Sequence, residues 1–173
     1  MRDLDKININ SYLSFKIGKE SFAINVGNVR SILEVDRITE VPKTPHYMKG
    51  VINLRGTVLP IIDTRLKFGM DPISFNSNTC ILVLDVKVLN EPVQLGALVD
   101  IVEEVLELSE DDIQPPPGIG SKYQSDFIYG MAKSNDDFIM LLDMNKVFSV
   151  DEVIDLKTNI SETSDVEQVE KNI

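Results

Sequence analysis

Residues 49–63 read KGVINLRGTVLPIID, and this stretch decides the fold. Two apolar arms, Val51-Ile52 and residues 58–62, flank a polar break at Asn53-Leu54-Arg55-Gly56. β-Branched runs interrupted by a glycine-bearing segment predict two strands joined by a tight turn or bulge. Gly50 and Gly56 supply residues able to take the positive φ that such a connection needs. Arg55 is the one charge between Lys49 and Asp63, so its guanidinium stands in an apolar neighbourhood. The spacing leaves two roles open: tying the hairpin to a nearby carboxylate, or presenting a fork of donors to a partner.

Outward from this stretch, the chain of 173 residues suffices for one ordinary domain or two small lobes sharing a core. A 43% hydrophobic fraction supports a packed interior, and eight prolines, nine glycines and frequent Val/Ile runs favour β structure. The formal charge of −11 repels phosphate backbones and argues against nucleic acid as a partner. No apolar run is long enough to span a membrane. Residues 1–11 are expected to be flexible and lack the apolar region of a signal peptide. The single cysteine, Cys80, reads as a buried strand residue, and one cysteine gives no disulfide framework, which suits a reducing cytoplasm.

Residues 12–17 and 22–24 alternate around Gly18-Lys19-Glu20-Ser21, predicting a hairpin. Val26, Val29, Ile32 and Leu33 then recur at helix-like spacing, with Asn25 or Asn28 as a cap. Pro42 and Pro45 make residues 39–47 an extended loop. Residues 64–68 fit helix or strand, and 69–78 form a Gly/Pro/Asn/Ser linker. The pattern then begins again. The apolar run 79–88 and residues 93–97 lie either side of a turn at Asn90-Glu91-Pro92, and the helix-like stretch recurs at an offset of 73 residues. Val26, Val29, Ile32 and Leu33 fall opposite Val99, Val102, Val105 and Leu106. A proline-rich loop at 114–118 follows, and residues 130–143 parallel 50–63 with the same 13-residue interval. Four features in one order in both halves indicate a duplication. They predict two β lobes of about five short strands, 12–70 and 78–148, packed across a groove lined by the helix-like stretches. Residues 144–156 fit a closing amphipathic helix, and the acidic 158–173 read as a disordered tail.

Catalytic parts are few. His46 stands alone in a proline-bearing loop, with no second histidine or cysteine to complete a metal site. Gly118-Ile119-Gly120-Ser121 lacks the Lys-Ser/Thr of a phosphate loop, and Asp111-Asp112 and Asp136-Asp137 read as solvated turns. What remains is a surface for binding proteins, with no enzyme activity, cofactor or metal expected.

The runs YLSFKIG, FAINVGNVRSIL, VPKTPHYMKGVINLRGTVLPIID and LGALVDIVEEVLEL together resemble the CheW family of bacterial chemotaxis coupling proteins, across about residues 12–150. GVINLRGTVLPIID is the most specific of them. The resemblance implies two five-stranded SH3-like β-barrels, in line with the duplication, and a cytoplasmic adaptor recruited to membrane-associated receptor arrays. Its implied partners are the cytoplasmic hairpin tips of chemoreceptors and the regulatory domain of the histidine kinase CheA. Carried over by position, receptor binding falls on Val26, Val29, Arg55, Val99 and Val102, and kinase binding on Met48, Lys49 and Gly50. One departure stands out. Relatives commonly carry an acid where this chain has Ser31, a natural partner for the arginine of NLRG, which leaves Glu34, a backbone carbonyl or a partner protein for Arg55. No receiver or kinase domain is read after residue 150, so a stand-alone adaptor is expected, with a small-molecule or peptide-binding regulator on the same fold as the alternative.

Overall fold

Why do the apolar runs of this chain fail to alternate with polar residues? In the computed structural model, which describes residues 10–88, 90–116, 127–148 and Glu152, most strands are buried on both faces. Eleven strands lie in two sheets: β1 Asn10–Ile17, β2 Glu20–Asn25, β3 Val29–Glu34, β4 Met48–Leu54, β5 Thr57–Asp63, β6 Cys80–Val88, β7 Glu91–Val99, β8 Ile101–Leu108, β9 Ile113–Gln114, β10 Ile128–Ser134 and β11 Asp137–Leu142. One four-residue helix, α1, spans Thr64–Lys67. The six-stranded sheet runs β8-β1-β2-β11-β10-β9 and the five-stranded sheet β3-β6-β7-β5-β4.

Successive side chains point to opposite faces of a strand. In β6, Leu82, Leu84 and Val86 face a cluster shared by both sheets, whereas Ile81 and Val83 face a second cluster with Leu59, Ile61 and Leu98. In β2, Phe22 and Ile24 join the shared cluster, and Ala23 joins a third with Tyr12, Ile139 and Leu141. Each sheet thus keeps a small core of its own and contributes its other face to the core between them. Runs such as CILVLDV are continuous because neither face meets water.

The hairpin read from residues 49–63 is β4–β5, with Leu54 opposite Thr57 and a two-residue turn at Arg55-Gly56. Both turn residues have positive φ, 52° and 85°, the combination that matches the twist of paired strands. The register slips between Met48 and Gly50, so a bulge interrupts the pairing at the end of the hairpin away from the turn. Its counterpart β10–β11 slips between Ile128 and Gly130, and Asn135, φ 56°, occupies the turn. The two hairpins end alike: the Asp63 N–H donates to the Tyr47 carbonyl and the Asp143 N–H to that of Phe127, each at 2.8 Å. The duplication extends to pairing across the sheets, since parallel Ile61↔Gly96 in one is matched by Leu141↔Ala23 in the other.

The lobes differ from the expected division at the linker. Residues 29–99 supply every strand of the five-stranded sheet, and the six-stranded sheet joins the β1–β2 hairpin to the strands after residue 100. Each sheet therefore pairs the opening strands of one repeat with the closing strands of the other. Neither strand order closes on itself, so these are open sheets in place of the expected closed five-stranded barrels. The chain crosses between sheets twice, at a 3₁₀ turn, Val26–Asn28, and at Asp100. Asp100 fastens its crossing: its carboxylate accepts from Gly18 N–H at 2.6 Å and from Arg65 Nε and Nη2 at 2.9 and 2.6 Å.

The helix-like stretches are strands. In β3, Val29, Ser31 and Leu33 are half-buried while Arg30, Ile32 and Glu34 are exposed. β-Branched side chains favour this extended form, and Ile32 on the open face made the spacing resemble a helix. Of the closing segment 144–156, Met144, Val147 and Phe148 are buried in the shared core within turns, and residues 149–151 and 153–156 lie outside the described residues, as does the tail 158–173.

Candidate functional site

Each residue implicated by sequence has a definite place. Val26 opens the 3₁₀ turn and is 38% exposed. Val29 opens β3 opposite Leu84 and is half-buried against the shared core. Val102 pairs with Phe15 in β8 and is likewise half-buried. Val99 closes β7 opposite Cys80 at 0% exposure, so it offers no surface to a partner; the 73-residue offset equated it with Val26, but it faces the core. Register places Val26 and the Arg55 turn at the end of the five-stranded sheet where β6 turns into β7, and Val99 at the opposite end, beside Val102. The structure therefore divides the five residues into two groups.

Arg55 carries the strongest local signal. It is exposed, it adopts φ 52°, and its side chain has no hydrogen bond or ion pair among the described residues. A left-handed conformation costs a non-glycine residue about 1–2 kcal/mol, and Asn or Gly is the usual occupant. The equivalent turn in the other sheet uses Asn135. An arginine held in a strained turn with nothing to bind inside its own chain is an outlier of the kind that collects at functional sites. Ser31 lies in β3 opposite Val83, and Glu34 pairs across the strand with Cys80; neither is bonded to Arg55.

The kinase group is mostly interior. Met48 is buried opposite Ile62, and Gly50, at φ 154°, lies so close to the Thr39 carbonyl that a Cβ would overlap it. Thr39 and Val51 exchange backbone hydrogen bonds at 2.8 and 2.9 Å across this contact, which is why only glycine fits. Lys49 alone reaches outward, its Nζ 5.4 Å from the ring centre of Phe75, which is 49% exposed. Sequence reasoning passed over Phe75 as linker; an aromatic in a Gly/Pro/Asn/Ser segment was the available signal.

Charged groups elsewhere serve the scaffold. Asp63, fully buried, accepts from the N–H groups of Arg65, Leu66 and Ile73 at 3.0, 3.3 and 3.0 Å, capping α1 and anchoring the linker. Lys67 packs its ammonium 5.0 and 5.1 Å from the rings of Tyr47 and Phe148 and 2.5 Å from Glu152. Asp112 accepts from the Ser109 N–H and hydroxyl, which holds its carboxyl below the usual carboxylate range. His46 meets the edge of the Tyr47 ring at 5.6 Å, and no group of three metal-ligating side chains occurs among the described residues. No helix among them is long and apolar enough to cross a membrane.

Two sheets around a common core, with apolar and cationic side chains on edge strands and hairpin turns, define a double-sheet β module. The family model for the CheW-like domain matches residues 11–152, and the chain belongs to that family. It is 33% identical over 142 residues to the chemotaxis protein CheW of Klebsiella aerogenes, covering 82% of this chain and 83% of that one. Its identity to the CheW of Rhizobium meliloti is 36% over 140 residues, covering 81% and 88%. The crystal structure of the scaffolding protein TtCheW from Thermoanaerobacter tengcongensis superposes with a TM-score of 0.71 at 28% identity, covering 83% of this chain and 90% of that one.

Proposed function

We propose that this chain is a non-enzymatic chemotaxis adaptor that couples the cytoplasmic hairpin tips of chemoreceptors to the histidine kinase CheA. Family membership supplies the class of function. Arg55 is the observation that carries the reading to a surface: it is exposed, strained and unpaired among the described residues, in the turn of the most family-specific hairpin. A guanidinium free of internal partners keeps all its donors for another protein. In this reading Arg55, Val26 and Val29 contact the receptor from one end of the five-stranded sheet, with Val102 a separate contact at the seam and Val99 supporting from the core. Lys49, beside Phe75, is the accessible member of the kinase group, while Met48 and Gly50 shape the bulge that presents it. The adaptor acts in the cytoplasm, at membrane-associated arrays.

The test is direct binding of the full chain to a receptor cytoplasmic hairpin and to the CheA regulatory domain, measured separately and then together. Both partners should bind, and a ternary complex should form. Absence of binding to either one would refute the coupling role.

A further inference from the structure

Between the two sheets the shared core does not close completely. A cavity of about 20 Å³, as swept by the centre of a water-sized sphere, lies there with a wholly apolar lining. Phe15, Ile17 and Ile24 reach it from the six-stranded sheet, and Leu84, Leu95 and Ala97 from the five-stranded sheet. Ala97 is the smallest side chain of the lining and stands in mid-sheet, paired with Leu82 on one side and Ile62 on the other. An alanine among Leu, Ile and Phe leaves the space that a larger side chain would fill. Lys67 and Phe68 are the two lining residues that are only half-buried, so the way in from solvent passes beside them.

On this measure one water needs about 10–15 Å³, together with two to four polar partners. The cavity has the room and supplies no partner. The Thr64 hydroxyl donates to the Leu98 carbonyl at 2.5 Å, and the Lys67 ammonium is held by Glu152 and the rings of Tyr47 and Phe148. Size admits a guest while polarity excludes water, the combination under which apolar cavities stay dry and take up xenon or small hydrocarbons. We propose that this cavity is a binding site for one small apolar molecule, a nonpolar gas or a short hydrocarbon, which bridges the two sheets. The guest regains the dispersion contacts that the void forfeits. It is held only while the sheets are packed together, so it stabilises the folded chain by mass action.

Xenon is the probe. The full chain, labelled at its Ile, Leu and Val methyls, is followed by NMR as xenon pressure is raised. The methyls of Ile17, Ile24, Leu84 and Leu95 should shift and saturate, whereas those of Ile81 and Leu98, in a separate cluster, should move only in proportion to pressure. The urea midpoint should rise by about 0.2 M at the xenon concentration that half-saturates the shifts. Ala97→Val suits a strand and fills the space, so it should lose the saturable response. Lining methyls that respond no differently from Ile81 and Leu98 would overturn the proposal, as would saturable shifts that survive in Ala97→Val. A urea midpoint unmoved at saturation would overturn the bridging of the sheets. If Ala97→Val does not fold, the contrast between the two sets of methyls in the unaltered chain decides alone.

Discussion

Replacing Arg55 with Asn should move stability and affinity in opposite directions. The residue sits at φ 52°, and Asn135 holds the equivalent turn at φ 56°. Asn is among the few residues that tolerate this region, whereas a long side chain is strained there by about 1–2 kcal/mol. No side-chain hydrogen bond or ion pair of Arg55 exists among the described residues to be lost. The folded chain should therefore gain about 0.5–1 kcal/mol, which raises Tm by roughly 1–4 °C for a domain of this size. Binding should change the other way. Truncating an interface arginine that acts as a hot spot costs about 2 kcal/mol or more, close to a 30-fold loss of affinity. Differential scanning calorimetry reads the first quantity, and isothermal titration against a receptor hairpin and the CheA regulatory domain reads the second. If both affinities stay unchanged while Tm falls by several degrees, Arg55 holds the hairpin together and the functional argument built on its strain is refuted.

Asp63→Ala removes the cap of α1, worth about 1 kcal/mol, and leaves the buried Ile73 N–H without its acceptor, a further 1–3 kcal/mol or so; Tm should drop by roughly 6–12 °C, with Asp63→Asn losing less because one oxygen still caps. Lys67→Met keeps the methylene packing but loses two ring contacts and the Glu152 pair, so guanidinium titration should show a loss of about 2 kcal/mol. The Cys80 thiol is held above its ordinary range, first by burial and then by the charge of Glu34. Its alkylation should consequently accelerate at a higher pH than that of a free cysteine, and Glu34→Gln should move the profile down only part of the way, since burial remains.

Much of this architecture was legible because its signals are local. A turn needing positive φ, a glycine against a carbonyl and an aspartate closing the second strand all act within a few residues, so residues 49–63 and 130–143 declared two like hairpins. Strand partnership is not local. Nothing within β2 marks it for parallel pairing with β11, more than 110 residues later, so the lobes were drawn at the linker when the sheets divide elsewhere. An apolar residue on the open face of β3, Ile32, also broke the alternation that distinguishes strand from helix, and the valines of 26–35 passed for a helix. At the site, residue type identified Arg55, but burial separated Val99 from Val26, which the repeat had made equivalent. Phe75 went unremarked because it reads as linker, and Glu34 drew notice only as a partner for Arg55.

The split of the six-stranded sheet imposes an order on synthesis. Residues 29–99 leave the ribosome as a self-sufficient set of paired strands. The β1–β2 hairpin does not, because both of its neighbours, β8 and β11, are translated after residue 100. At about 5–20 residues per second the hairpin waits roughly 4–15 s for β8, and longer for β11. During that interval Leu13, Phe15, Phe22 and Ile24 have only the inserted lobe to cover them, and both hairpin edges stay open to other nascent chains. The hairpin is thus made before the five-stranded sheet and enclosed after it, and chaperones guarding the nascent chain would engage residues 10–25.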